Sequence, residues 1–260
     1  MNSLKKILPL VLFMTGVLAN GQEITIKSPD SNITVTISNN DKLTWSASWR
    51  SRNIVNPSSM GFELKNEDAM TGNFNILDQS VRNFNEKWIP VVRSKHAEII
   101  NNYSELKLIL KEKSGPMRQM ELYVRAYNDG AAFRYKLLRS SVVGERQIVK
   151  ELTSFSIPGD PKAWIVEYGG YASSNESEFF EHPLSYLNEK SIAGMPMLME
   201  YGDNCWVAIT EAKIENYPAF YIGRNASNQL ITKLVPIPGE PEDGVKVRFN
   251  DEVYTPWRVL

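Results

Sequence analysis

The sequence predicts an all-β sandwich, and three observations predict it. Apolar and polar residues alternate over many short segments, turn signals separate these segments, and no long segment repeats its apolar residues with the period of a helix. Alternation indicates strands with one buried face, because successive side chains of a strand point to opposite faces. The length favours large sheets with long excursions over a seven-strand immunoglobulin module.

The first half of the chain contains the clearest alternating segments. Polar residues 39–42 predict a turn between the first two strands. Asn128, Asp129 and Gly130 predict a hairpin, because all three residue types tolerate positive φ. The strands predicted in this half are 33–37, 43–49, 106–110, 120–126 and 133–137.

The second half continues with shorter strands, broken by the proline- and glycine-rich segments 158–161 and 236–241. Its longest polar insertion, 169–190, carries several glutamates and aromatic residues, and long loops on a β scaffold often carry function. The strands predicted in this half are 154–157, 163–167, 197–200, 206–210, 217–222, 229–234 and 245–249.

The segment 206–220 carries the first candidate site residue. Residues 206–210 predict a strand with its even-numbered side chains on one face, and Glu211 follows directly on it. A carboxylate at a strand end is well placed to bind a ligand, because the strand fixes its position and the loop leaves its oxygens accessible. A solvated loop glutamate is the competing interpretation, since Glu is mostly exposed in proteins.

Composition excludes several classes of site and partner. The net charge of −1 argues against nucleic acid or an anionic membrane as the main partner, because both need a basic surface. The single cysteine, Cys205, is predicted to be an inert core thiol. With His96 and His182 as the two histidines, a zinc site built from Cys and His is not expected.

Residues 1–21 predict an export signal. Lys5 and Lys6 precede an apolar segment, 7–18, that is too short to span a bilayer comfortably, and small residues at 19 and 21 predict cleavage before Gln22. The mature protein is therefore expected to be periplasmic or extracellular, with no membrane span after cleavage.

Motifs for catalysis are sparse. A phosphate-binding loop and a G-x-S-x-G elbow are absent from the sequence. Glutamates between 176 and 189 offer a carboxylate pair for sugar hydrolysis, but a charged solvated loop is the more economical interpretation. The six tryptophans suit stacking on sugar rings, yet most lie in alternating strands and are predicted to be core.

Several stretches, taken in order, resemble the N-terminal domain of glycoside hydrolase family 97, a family of secreted α-glucosidases and α-galactosidases. The two most specific are RAYNDGAAFRY at 125–135 and ITEAKIENYPAF at 209–220. The supporting stretches are 28–30, 33–37, 56–61, 86–91, 103–106 and 255–258. Together they cover nearly all of the mature chain.

The resemblance implies a β-supersandwich of two large antiparallel sheets, similar to the galactose-mutarotase fold, over residues 22–256. Residues 257–260 would begin the linker to a (β/α)₈ barrel, supplied in cis or in trans. In such enzymes the barrel carries the catalytic acid and the base or nucleophile. The resemblance therefore implies the carbohydrate-facing domain of a calcium-dependent, exo-acting α-glycosidase, with an α-linked oligosaccharide or monosaccharide as its ligand and no catalytic residue of its own.

The resemblance also implies two site residues. Residues 211–217 match the family pattern Glu-Ala-x-Leu-x-x-Tyr, with Ile214 in place of Leu, and this assigns Glu211 as one calcium ligand. Calcium is expected only in a composite site with the barrel, because the ion takes six to eight oxygens. His182, in the 169–190 insertion, is a candidate contact to sugar hydroxyls.

Two other readings stay open at this point. One is a free-standing carbohydrate-binding or mutarotase-like protein, which for catalysis would need Glu211 as base and His182 as acid in one cleft. The other is a structural adhesion module. The sequence leaves the sugar, its linkage and the oligomeric state open.

Overall fold

A computed structural model describes residues 22–139 and 144–260, and it is almost entirely β. The all-β prediction is confirmed. The predicted export signal, 1–21, lies outside the described residues. One short 3₁₀ turn, Leu184–Tyr186, interrupts the strands of the described ranges.

The strands of the first half are long and largely consecutive along the chain. They are β1 (Gln22–Lys27), β2 (Ile33–Asn39), β3 (Leu43–Trp49), β4 (Arg52–Ser59), β5 (Phe62–Leu64), β6 (Phe74–Trp88), β7 (Ile99–Glu112), β8 (Gln119–Tyr127) and β9 (Ala131–Leu137).

The strands of the second half are shorter. They are β10 (Arg146–Glu151), β11 (Ser154–Phe155), β12 (Lys162–Ile165), β13 (Phe180–Pro183), β14 (Met197–Glu200), β15 (Trp206–Ala212), β16 (Phe220–Arg224), β17 (Leu230–Leu234), β18 (Val247–Phe249), β19 (Val253–Tyr254) and β20 (Trp257–Val259).

The described strands form one large sheet and three smaller ones, all with antiparallel pairing. The large sheet has ten strands in the order β13-β12-β14-β15-β20-β9-β8-β7-β6, with β19 paired to β9 beside this path. A four-stranded sheet runs β1-β2-β3-β4, and two three-stranded sheets run β18-β10-β5 and β11-β17-β16. Consecutive hairpins build most of this topology, as in other antiparallel folds.

The core lies between the ten-stranded sheet and the smaller sheets. Trp45 of β3 is buried against Phe133 of β9 and Phe155 of β11, with ring centroids 4.7 and 5.5 Å apart. Phe62 of β5 meets Tyr135 of β9 edge-on at 4.9 Å. Tilted and edge-on pairs of this kind stabilise a core beyond the area they bury. The large sheet is therefore held in place from one side by aromatic side chains of the smaller sheets.

The predicted hairpin at 128–130 joins β8 and β9, where the Tyr127 N–H donates to the Gly130 carbonyl at 2.8 Å. The sequence prediction missed β6, the edge strand of the large sheet. Most of its residues after Phe74 are exposed on both faces. A strand without a buried face shows no alternation, so periodicity has no signal there.

The segment predicted to begin a linker, 257–260, lies inside the large sheet. Trp257–Val259 forms β20, which pairs with β15 on one side and β9 on the other. The residue after it, Leu260, donates to and accepts from the backbone of Ala131 at 2.8 Å. Within residues 22–139 and 144–260, no helix has the length and apolar character needed to cross a membrane.

Candidate functional site

A buried guanidinium joins two carboxylates in the middle of the fold. Arg258 Nε and Nη2 donate to Glu151 Oε1 and Oε2 at 2.8 and 2.6 Å, a bidentate pair with both side chains wholly buried. Arg258 Nη1 donates to Glu211 Oε2 at 2.7 Å. We call these three residues the Arg258 cluster. Charge-assisted bidentate bonds are among the strongest that proteins make.

Strand register brings the cluster together. Glu211 of β15 lies directly opposite Arg258 of β20, so their side chains share the face of the sheet that points into the core. Arg258 in turn lies opposite Phe133 of β9. Glu151, at the end of β10, approaches from the other side of the core. The positions of all three are therefore set by β-sheet geometry and not by a loop.

Both carboxylate oxygens of Glu151 accept hydrogen bonds from buried groups of the core. Besides Arg258, Thr153 Oγ1 donates to Glu151 Oε1 at 2.9 Å and the Tyr217 hydroxyl donates to Oε2 at 3.0 Å. Burial and the Glu151 charge raise the pKa of Tyr217 well above its usual range. Burial alone would lower the pKa of Arg258, but Glu151 outweighs this effect and raises it. Tyr217 therefore stays protonated and Arg258 stays charged.

Glu211 has acceptor capacity left. Its Oε2 accepts from Arg258 and its Oε1 accepts the Phe220 N–H at 3.2 Å, whereas an ionised carboxylate offers about four acceptor positions. One positive and two negative charges give the cluster an excess negative charge, and only Glu211 of its members is not fully buried. Burial raises the pKa of Glu211, and Arg258 and the Phe220 N–H offset only part of that effect.

These residues fit calcium only as part of a larger site. Calcium takes six to eight oxygen ligands, and the described ranges contain no group of three or more His, Cys, Asp or Glu residues arranged to hold a metal. Glu211 offers one carboxylate with room for a further interaction. Glu151 offers none, because its oxygens already accept four hydrogen bonds.

The structure places His182 in β13, at the far edge of the large sheet. Its ring stacks on Tyr186 with 4.0 Å between centroids and 5° between planes. Three strand spacings, about 14 Å, separate β13 from β15 across the sheet. His182 and Glu211 therefore do not share one cleft, and the arrangement gives no support to a mutarotase-like acid and base pair. A role for His182 in sugar contact stays a prediction.

The glutamates of the 169–190 insertion make surface contacts. Glu181 pairs with Lys162 at 3.2 Å, with both side chains about half exposed. Glu189 accepts the Ala226 N–H at 3.3 Å. These contacts suit a charged, solvated loop.

The tryptophans divide between the core and the surface. Trp45 and Trp257 are buried, whereas Trp88 and Trp206 are 47% and 49% exposed and lie outside the core. Trp206 lies on the outer face of the large sheet because the even-numbered residues of β15 point away from the core. Cys205 is a buried free thiol, as predicted.

Sequence reasoning missed Arg258 and Glu151 as partners of Glu211. Arg258 lies 47 residues along the chain from Glu211 and 107 residues from Glu151. The stretch 255–258 resembles the family only as a supporting match, and nothing local to it marks a buried guanidinium. Only the pairing of β15 with β20, two strands distant in sequence, indicates that Arg258 lies beside Glu211.

Comparison with known proteins decides the family. The model described as "Glycosyl-hydrolase 97 N-terminal" matches residues 26–260. The chain is an N-terminal domain of glycoside hydrolase family 97. In this family the domain normally sits with a catalytic domain.

Curated relatives of this family-97 domain are longer proteins. It is 28% identical over 233 residues to a retaining alpha-galactosidase of Bacteroides thetaiotaomicron, covering 86% of this chain and 34% of that protein. It is 24% identical over 223 residues to a probable retaining alpha-galactosidase of Streptomyces bingchenggensis, covering 84% and 31%. The chain thus spans about a third of the curated relatives it matches.

Solved structures agree on the fold. A family 97 enzyme from Pseudoalteromonas sp. strain K8, solved in complex with panose and with acarbose, aligns with a TM-score of 0.81 at 23% identity, over 91% of this chain and 35% of that one. A beta-arabinopyranosidase aligns with a TM-score of 0.78 at 21% identity, over 92% and 40%. Both confirm the antiparallel sandwich.

Proposed function

We propose that residues 22–260 form the carbohydrate-facing N-terminal domain of a calcium-dependent, exo-acting α-glycosidase. In this proposal Glu211 supplies one calcium ligand, and a catalytic domain in cis or in trans supplies the other ligands, the acid and the base or nucleophile. The observation that carries the proposal is the contrast within the Arg258 cluster. Glu151 is saturated, whereas Glu211 keeps free acceptor positions and the excess negative charge.

Each member of the cluster has a defined task in this proposal. Arg258 fixes one oxygen of Glu211, and the Phe220 N–H fixes the other, so the carboxylate is held before any cation arrives. Glu151 neutralises Arg258, which would otherwise repel a cation beside Glu211. Calcium, when bound, supplies positive charge that orients and polarises sugar oxygens. The domain itself contributes binding and orientation, not proton transfer.

The named relatives support the proposed ligand class. Curated relatives are named as α-galactosidases, and one solved relative binds panose and acarbose, so an α-linked oligosaccharide or monosaccharide is the proposed ligand. His182 is retained as a proposed sugar contact at the edge of the large sheet. The sequence features of residues 1–21 support export to the periplasm or beyond.

A chimera tests the proposal. Residues 22–260 would replace the matching third of the Bacteroides thetaiotaomicron enzyme, and hydrolysis of p-nitrophenyl α-galactopyranoside would be measured with and without a calcium chelator. We expect calcium-dependent hydrolysis by the chimera and none by residues 22–260 alone. Hydrolysis at an enzyme-like rate by residues 22–260 alone would contradict the proposed division of labour.

The matched variants are Glu211→Gln and Glu215→Gln. Glu215 lies four residues further along the same segment and is exposed. In a folded chimera Glu211→Gln should abolish the calcium-dependent hydrolysis, whereas Glu215→Gln should leave that hydrolysis unchanged. Equal behaviour of the two variants would remove Glu211 from the site.

A further inference from the structure

A groove of about 780 Å³ is lined partly by the outer face of the large sheet, the face opposite to the Arg258 cluster, and partly by buried residues of the four-stranded sheet such as Ile33, Ala47 and Ile54. Its floor is made of small side chains from three adjacent strands: Ala208 and Thr210 of β15, Val259 of β20 and Ala132 of β9. Register places Thr210 beside Val259 and Val259 beside Ala132. Small residues in one cross-strand row leave a trough between the larger side chains on either side.

Aromatic side chains form the walls of this trough. On one side Trp206 is half exposed, and its ring packs at 5.2 Å and 40° against Trp164 of β12. On the other side Trp257 and Arg125 stack with 4.2 Å between guanidinium and ring. The lining extends across the sheet from Leu198 of β14 to Arg125 of β8, four strand spacings apart, so the trough is about 19 Å long.

The walls carry no unpaired cation. Arg125 donates to Glu105 at 2.7 Å and is held between the rings of Tyr103 and Trp257. The other polar groups that line the groove are hydroxyls, amides and one carboxylate. They are Ser48, Tyr127, Asn128, Asp129, Asn204 and Thr210. A cationic wall that is already neutralised gives an anionic ligand no advantage, and hydroxyl and amide groups suit a neutral, hydrogen-bonding ligand.

The volume and the lining of the groove both favour a small sugar as its ligand. The volume is within the range of about 300–1,000 Å³ found for small-molecule sites, and such sites combine an apolar lining with a few polar groups. A sugar has apolar C–H faces that stack on an indole ring and hydroxyls that bond to the polar rim. The half-exposed Trp206 offers such a ring beside the floor of the trough.

We propose that this Trp206 groove binds a short, neutral α-linked oligosaccharide, independently of calcium and of the catalytic domain. The inference rests on the carbohydrate specificity of the proposed function, but not on its calcium site. The floor of the groove and Glu211 lie on opposite faces of β15, so one face would hold substrate for the other region of the enzyme to process. The domain would then be a carbohydrate-binding module as well as part of an active site.

Titration of purified residues 22–260 tests the groove directly. Panose, an α-linked glucose trisaccharide, and raffinose, which carries an α-galactosyl group, would be added in the presence of EDTA. Binding would be followed by calorimetry and tryptophan fluorescence. We expect saturable binding of at least one sugar, and Trp206→Ala should weaken it at least about tenfold through loss of the stacking surface.

Three controls make the result specific. Trp88→Ala removes a tryptophan of similar exposure outside the groove, and Glu215→Gln removes an exposed carboxylate that does not line it, so both should bind sugar normally. Ala208→Tyr should block the trough without removing Trp206, and strands accommodate aromatic residues well. Circular dichroism and melting curves would confirm that each variant is folded.

Two results would overturn the inference: no saturable binding of either sugar up to about 10 mM, or equal binding by wild type and a folded Trp206→Ala or Ala208→Tyr variant. Failure of the proposed function would look different. Glu211→Gln would then leave the calcium dependence of the chimera unchanged, while sugar binding by the groove persisted.

Discussion

Replacing Arg258 by Met should be among the most damaging single changes in this domain. The substitution removes a wholly buried guanidinium and leaves Glu151 as a buried carboxylate with no cation. Removing one partner of such a pair costs about 3–5 kcal/mol, because the remaining charge stays desolvated. For a domain of this size each kcal/mol lowers the melting temperature by about 2–4 °C, so we expect a drop of about 6–20 °C.

The assay is a double-mutant cycle by urea and thermal unfolding. The double variant Arg258→Met with Glu151→Met removes both charges, and it should recover much of the loss because apolar replacements of a whole buried pair are often near neutral. Arg139→Met is the matched control, since Arg139 faces Asp251 at 3.6 Å with both side chains largely exposed. It should cost no more than about 1 kcal/mol.

The reasoning would be refuted if Arg258→Met cost no more than Arg139→Met. It would also be refuted if the double variant were as unstable as the sum of its single variants, because the two charges would then not be coupled.

Three further predictions follow from individual positions. Burial raises the pKa of Glu211 above the ordinary 4.5, so its contribution to stability is present at low pH and is lost as the pH rises through the folded pKa. In urea unfolding, wild type should therefore lose stability relative to Glu211→Gln as the pH rises above about 4.5, and a relative gain would contradict the burial argument. Leu108→Ala, in the core, should cost about 2–5 kcal/mol in the same assay, whereas Leu77→Ala, on the exposed edge strand, should change stability by less than about 0.5; equal costs would be inconsistent with the packing. Gly61→Ala should lower the melting temperature, because φ is +125° and the new Cβ would lie 2.0 Å from the Met70 carbonyl oxygen, with backbone strain alone costing about 1–3 kcal/mol; an unchanged melting temperature would show that the backbone relaxes there.

The sequence predicted those parts of the fold that have one buried face. The β8–β9 hairpin is an example, because its turn residues and its alternating strands agree with each other. The edge strand β6 was missed because its side chains are exposed on both faces, which leaves no period to detect. The half-exposed position of Trp206 was not predicted, because alternation alone does not say which face of a strand is covered.

The candidate site was predicted only in part, for a related reason. The alternation of side chains between the two faces of β15 was predicted correctly, and the family pattern indicated Glu211 as a site residue. The pairing that holds Glu211, however, joins β15 to β20 across 47 residues and adds Glu151 from a third strand. Propensity and periodicity describe local structure, so a cluster made by long-range register is visible only in three dimensions.

The most direct test of the proposed function is a calcium titration of the folded chimera by calorimetry. We expect saturable calcium binding by the parent chimera and by its Glu215→Gln variant, and a large loss of calcium affinity in Glu211→Gln. Residues 22–260 alone should give no calcium binding, because one carboxylate does not satisfy the ion. Undiminished calcium affinity in Glu211→Gln, or tight calcium binding by residues 22–260 alone, would contradict the composite site.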